Sequence, residues 1–133
     1  MKILAVMLML ALPMSAKGLI WEQSLTAAQT RARAEKKLIL LDLWAEWCGP
    51  CQALRQNVFP APQAQAALSK VVPLEVMVET RAGQRQPEGT ALAERYGLQA
   101  FPSLFLLDSK GRVVRSHVGY LTPEALSSFI SGR

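Results

Sequence analysis

The chain is poor in the residues that bind metals or staple folds. It has two cysteines and one histidine in 133 residues. A four-coordinate zinc site within one chain would therefore lack soft or imidazole ligands, with His117 the single candidate beyond the cysteines. Charged residues make up 19% and aromatics 7%, and the 8 prolines and 8 glycines are dispersed. With half the residues hydrophobic, this composition excludes a disordered or low-complexity chain and supplies an ordinary core. No internal repeat is visible. The net charge of +5 comes from scattered groups: Arg31, Arg33, Lys36 and Lys37, then Arg81 and Arg85, then Lys110, Arg112 and Arg115. None is interleaved with aromatics or set in a nucleic-acid motif, so the basic balance reads as a solvated surface and not a nucleic-acid site. A long apolar run is also missing. The run from Ile3 to Leu12 is shorter than the roughly 20 residues that a spanning helix needs.

What that run does resemble is a leader. Lys2 precedes it, and Pro13-Met14-Ser15-Ala16 follow, giving a basic start, a short apolar stretch and a small residue before a polar segment. A signal peptide over residues 1–16 and one domain over residues 17–133 are expected. The alternative is a membrane anchor formed by the uncleaved segment. Export, with the bacterial periplasm as the expected compartment, would place the cysteines where disulfides persist.

Apolar periodicity and capping residues divide the rest. Ser24 or Thr26 caps an alanine-rich helix ending near Lys37. Residues 38–44 read as a buried strand, and 49–59 as a helix with Leu54 and Val58 on one face. Pro60 and Pro62 interrupt, and a helical pattern resumes over 64–70. Residues 71–78 form a second strand and 79–87 a polar loop. A helix over 90–96 stops at Gly97. Residues 104–107 are a third strand, Asp108-Ser109-Lys110-Gly111 a turn, and 112–118 the return strand. Thr122 and Pro123 open a last helix with Leu126, Phe129 and Ile130 inward. Strands separated by helices, followed by a hairpin, define an α/β protein with a mixed central sheet flanked by helices on both faces.

Trp47-Cys48-Gly49-Pro50-Cys51 holds both cysteines where the first strand gives way to a helix. Unpaired N–H groups at a helix start favour a thiolate, and two thiols at this spacing can close and reopen a small ring. A structural crosslink enclosing only two residues would constrain the unfolded chain little. Asp42, inside an apolar strand, reads by itself as a strand-end or partly solvated carboxylate. Trp44 reads as core, Trp47 as a rim residue beside Cys48, Glu46 as a solvated charge, and His117 as a surface residue.

Residues 42–51, the Phe101-Pro102-Ser103 run and the Val118–Thr122 segment together resemble the thioredoxin family over about residues 35–131. Within it, the chain is similar to exported thioredoxin-like proteins such as the C-terminal domain of the membrane thiol–disulfide interchange protein. The resemblance implies a thioredoxin-like fold and a thiol–disulfide oxidoreductase. Its cofactor is no bound group but a redox-active Cys48–Cys51 disulfide. Cys48 would be the nucleophile and the more exposed sulfur, Cys51 the resolving thiol, and Asp42 a buried acid serving Cys51. Pro102 would be the cis-proline beside the dithiol. Trp47, Gly49, Pro50, Phe101 and Gly119 would line the surface where a substrate backbone docks. Implied partners are proteins carrying disulfides and a membrane electron donor. A Gly-Pro pair between the cysteines is typical of reducing members. A disulfide-forming oxidant and a non-catalytic binding module are the alternatives. One departure stands out: Glu75 occupies about the position where cytosolic members have a lysine facing the buried acid.

Overall fold

The computed structural model describes residues 18–133; the leader expected over 1–16 lies outside the described residues. Helix α1 (Leu25–Glu35) leads into strand β1 (Ile39–Ala45). Helix α2 (Gly49–Ala53) continues as a π-helical turn (Leu54–Val58), and α3 (Pro62–Leu68) follows. Then come β2 (Val72–Glu79), α4 (Pro87–Tyr96), β3 (Ser103–Leu107), β4 (Val113–Val118) and α5 (Pro123–Ser131).

The four strands form one sheet in the order β2-β1-β3-β4. β1 pairs parallel to β2, across the helical crossover, and antiparallel to β3; β3 and β4 form the hairpin. β1 is central and buried on both faces, which is why it reads as an unbroken apolar run. Its side chains alternate between two cores. Ile39, Leu41 and Leu43 pack with α1, α4 and alternate residues of β2. Leu40 packs with Leu54, Val58, Leu68, Leu104, Leu126 and Ile130 from the π turn, α3, β3 and α5. The expected mixed sheet with helices on both faces is present.

Local signals account for most boundaries. The Ser24 hydroxyl accepts the Ala27 N–H, and the Thr122 hydroxyl accepts the Ala125 N–H, each capping its helix. In the turn before β4, an Asp108 carboxylate oxygen accepts the N–H groups of Lys110 and Arg112, and Gly111 takes a φ of 82°.

Two boundaries differ from expectation by more than two residues, and Pro62, expected to interrupt, instead opens α3. The helix over 49–59 is α-helical only to Ala53, because the next turn widens to a π geometry that keeps Leu54 and Val58 facing the core. α4 begins at Pro87, three residues earlier than the periodicity suggests. Pro suits the first helical position, whereas Gly89 disguises the helix as loop. Gly89 is there because α4 lies tight on β2: a Cβ at this position would overlap the Met77 carbonyl and stand 2.7 Å from the Val78 Cα. Gly89→Ala is therefore expected to destabilise the protein by about 2 kcal/mol, within the range for overpacking. A urea midpoint equal to that of the wild type would show that α4 can shift away from the sheet at no cost.

Candidate active site

The site is assembled at the C-terminal end of β1, where the strand hands over to α2. Cys48 is the N-cap residue of α2, with extended backbone angles of φ −82° and ψ 114°. Its Sγ accepts the Cys51 N–H at 3.2 Å, so the first sulfur occupies the capping position that a serine or aspartate oxygen fills elsewhere. The two cysteines form a disulfide with Cα atoms 5.2 Å apart, inside the usual range for such bonds. Cys48 is 4% exposed and Cys51 fully buried, the order expected for an attacking and a resolving sulfur, although both are well covered. Gly49 and Pro50 are exposed.

Ala45, Trp44 and Phe101 pack around the disulfide. Trp47 is 53% exposed, meets Phe101 edge to face at 5.7 Å, and donates its indole N–H to Glu79 at 2.8 Å. The Phe101–Pro102 peptide bond is cis. Pro102 is buried, and its carbonyl accepts the Gly119 N–H at 2.8 Å. Gly119 has a φ of 99°, a conformation that favours glycine. Around this rim Val118 and Tyr120 are also exposed. A groove of about 710 Å³ runs away from Trp47 and Phe101 past Glu79, Arg85 and Glu94.

Asp42 lies in the middle of β1 on the face shared with Leu40, the face covered by α2 and the π turn. It has no exposed surface, and neither carboxylate oxygen has a hydrogen-bond partner. Burial, and secondarily the negative charge of Glu75, push its pKa from the ordinary 3.8 up to about 7, against an opposing pull from Arg55. The strand-end or partly solvated reading of this aspartate is thereby corrected. An apolar strand buries it because β1 is central.

Two further assignments change. Glu46 is no free solvated charge: its carboxylate accepts the Arg81 N–H at 2.7 Å and ties the 80–84 turn to the site. His117 is half-buried against Phe129, with ring centroids 6.1 Å apart. Arg55 and Glu79 were not legible as site residues. Arg55 stands four positions after Cys51, the spacing that places residues on one helical face, and that was the available signal. Nothing in the β2 sequence pointed to Glu79 as the indole's partner. Among the described residues, no three His, Cys, Asp or Glu side chains gather as a metal site, and no helix is long and apolar enough to cross a membrane.

A two-cysteine ring at a helix start, following a strand that buries an unpartnered carboxyl, on a sheet of this topology, defines a thiol–disulfide oxidoreductase of the thioredoxin fold. The chain belongs to the thioredoxin-like family, whose domain model matches residues 25–131. Among curated relatives, thioredoxin of Haemophilus influenzae is 31% identical over 93 residues, covering 70% of this chain and 77% of that protein. The thiol:disulfide interchange protein DsbD of the same organism is 26% identical over 104 residues, 77% of this chain. The chain spans only 17% of the length of that relative. Among solved structures, the oxidised C-terminal domain of Neisseria meningitidis DsbD superposes with a TM-score of 0.69 at 21% identity, covering 85% of this chain and 98% of that one. At that identity the likeness concerns the fold.

Proposed function

We propose that this protein reduces disulfides of other proteins in an exported compartment, with Cys48 and Cys51 as its dithiol. The observation that carries the proposal is the Cys48–Cys51 ring at the start of α2, on the sheet face that holds the unpartnered Asp42 carboxyl.

In the proposed cycle the Cys48 thiolate, with the Cys51 N–H to stabilise its charge, attacks one sulfur of a partner's disulfide. A Cys48–partner mixed disulfide forms, and the partner's other sulfur leaves as a thiolate. The Asp42 carboxylate takes the Cys51 proton, directly or through water. The Cys51 thiolate then attacks the Cys48 sulfur, closing the ring and releasing the second partner thiolate. Two electrons pass to the partner; Asp42 returns its proton to one released thiolate, and the other takes from solvent the proton that Cys48 gave up on ionising. The exposed Trp47 edge, Gly49, Pro50, Phe101, Pro102 and Gly119 form the surface on which the partner's backbone lies. Gly-Pro between the cysteines favours reduction over oxidation.

The basic, then apolar, leader over residues 1–16 supports export. In such a compartment the ring must be reopened by a membrane electron donor, because soluble nicotinamide-dependent reductases are cytosolic. The similarity to DsbD is consistent with that arrangement.

Direction of electron flow is read by equilibrating the protein with glutathione buffers. A reductant is expected near the thioredoxin level of about −270 mV. A potential near −120 mV, the level of a strong oxidant, would reverse the proposed direction.

A further inference from the structure

We propose that Arg55 and Glu75 form a fixed ion pair that adjusts the proton affinity of Asp42, acting as positioning residues for the proton step at Cys51. The relevance to thiol exchange rests on the function proposed above; the electrostatic role does not.

Four observations carry it. First, Glu75 is the register partner of Asp42 across the parallel β1–β2 pair. Adjacent strands lie about 4.8 Å apart. Alternation puts both side chains on the α2 face, since Val72, Leu74, Val76 and Val78 take the other core. Second, both Glu75 oxygens are held. One accepts from the Arg55 guanidinium at 2.7 Å and the other from the Gln23 side-chain amide at 3.2 Å. The carboxylate thus stands beside Asp42 without bonding to it. Third, Arg55 is fixed from two directions, by Glu75 and by the Trp44 ring, which lies 4.2 Å beneath its guanidinium carbon. Fourth, Arg55 sits in the π turn, in the stretch of backbone that continues directly from Cys51. The anion and the cation are therefore held by separate elements, both facing the buried acid.

Opposed charges at fixed positions do something that one lysine beside the acid would not. A lone cation pulls the acid toward ionisation. Burial does most to hold the proton on Asp42; on top of it Glu75 resists ionisation while Arg55 permits it, so the two opposed charges adjust the point at which the acid takes and returns its proton. Elsewhere on this face α3 and α5 contribute Ala64, Ala67, Leu68, Leu126 and Ile130, with Trp21 and Phe59 beside them, and none of these is charged; Glu22, next to Trp21, is paired with Arg31. α2 carries the cysteines, β3 places the uncharged Leu104 opposite Asp42, and on β4 His117 stands beyond Leu104 in the same row. His117 is two strands away from Asp42, whereas Glu75 is on the adjacent strand.

The test is the pH titration of the Asp42 side-chain carboxyl by carbon-13 NMR in the oxidised full chain, where the cysteines are silent. Glu75→Gln is expected to lower the midpoint, and Arg55→Met to raise it, each by on the order of one pH unit. Arg55→Lys should restore most of the wild-type midpoint. A pair that merely held the structure closed would, when broken from either side, admit water and move both midpoints down. Same-direction shifts, or no shift in either variant, overturn the proposal. Thiol-exchange rates measured on the same variants separate the two levels. If the Asp42 midpoints move in opposite directions while the pH limb of exchange stays put, the electrostatic pair stands and the role of Asp42 as proton acceptor falls.

Discussion

Cys51→Ser is expected to accumulate as mixed disulfides between Cys48 and its protein partners, visible as thiol-labile, higher-mass species on non-reducing gels. Once Cys48 has attacked, the partner is released only when a second thiol attacks the Cys48 sulfur. Cys51 does this from three residues away, at an effective concentration far above that of any dissolved thiol. A serine hydroxyl at that position cannot. The complementary Cys48→Ser variant removes the attacking sulfur and is expected to lose at least about a thousandfold in disulfide reduction. Because Cys51 has no exposed surface, it is not expected to substitute for Cys48. Full retention of biological activity by Cys48→Ser, with disulfide reduction lost, would point instead to a non-catalytic binding module. Absence of trapped species in an exported extract would remove the proposed cycle.

The second large effect concerns stability. Between pH 4 and 7 the folded protein keeps a proton on Asp42 that the unfolded chain has released, since burial lifts this group from 3.8 to about 7. Folding stability therefore falls as pH rises through that window, and above it the whole cost of an ionised, unpartnered carboxylate applies. At about 1.4 kcal/mol per unit, the difference amounts to roughly 4 kcal/mol. Asp42→Asn replaces the acid by a neutral group of the same shape, with the same lack of partners as the protonated carboxyl. It should match the wild type near pH 4 and exceed it by up to about 4 kcal/mol above pH 8. Denaturant midpoints of the oxidised proteins at the two pH values measure this. An offset equal at both would mean that Asp42 does not titrate in the folded state within this range. The same substitution should slow thiol exchange, and the opposite signs of the two effects mark a residue kept for chemistry at the expense of stability.

Much of the fold was written locally. Ser24, Thr122, Pro123, Gly97 and the Asp108–Gly111 turn mark their boundaries by short-range chemistry, and each stands where that chemistry requires. Unbroken apolar runs identified β1 and β3, because strands buried on both faces leave no polar alternation, whereas β2 showed itself by alternating Val and Leu residues on its one fully buried face. Two features escaped for physical reasons. Gly89 weakens a helical pattern, yet its lack of a side chain is what lets α4 rest on β2. The π turn at Leu54–Val58 has no composition of its own, because a widened turn is chosen by how Leu54 and Val58 must pack.

The cysteine pair belongs to the sequence alone. With only two thiols, three positions apart at the junction of an apolar strand and a helix, the chemistry of a reversible disulfide was set before any tertiary contact was known. Tertiary structure decided the surroundings. It turned Asp42 from an ambiguous strand carboxylate into a group without solvent or partner, because β1 is the second strand of a four-stranded sheet and has neighbours on all sides. It also set Glu75 opposite Asp42 and brought Arg55 across to Glu75, since strand register and helix docking join residues that are far apart along the chain. Reactive atoms are a property of residue type and short spacing. The electrostatic field in which they react depends on which strands lie side by side, and that is fixed only when the sheet closes over its core.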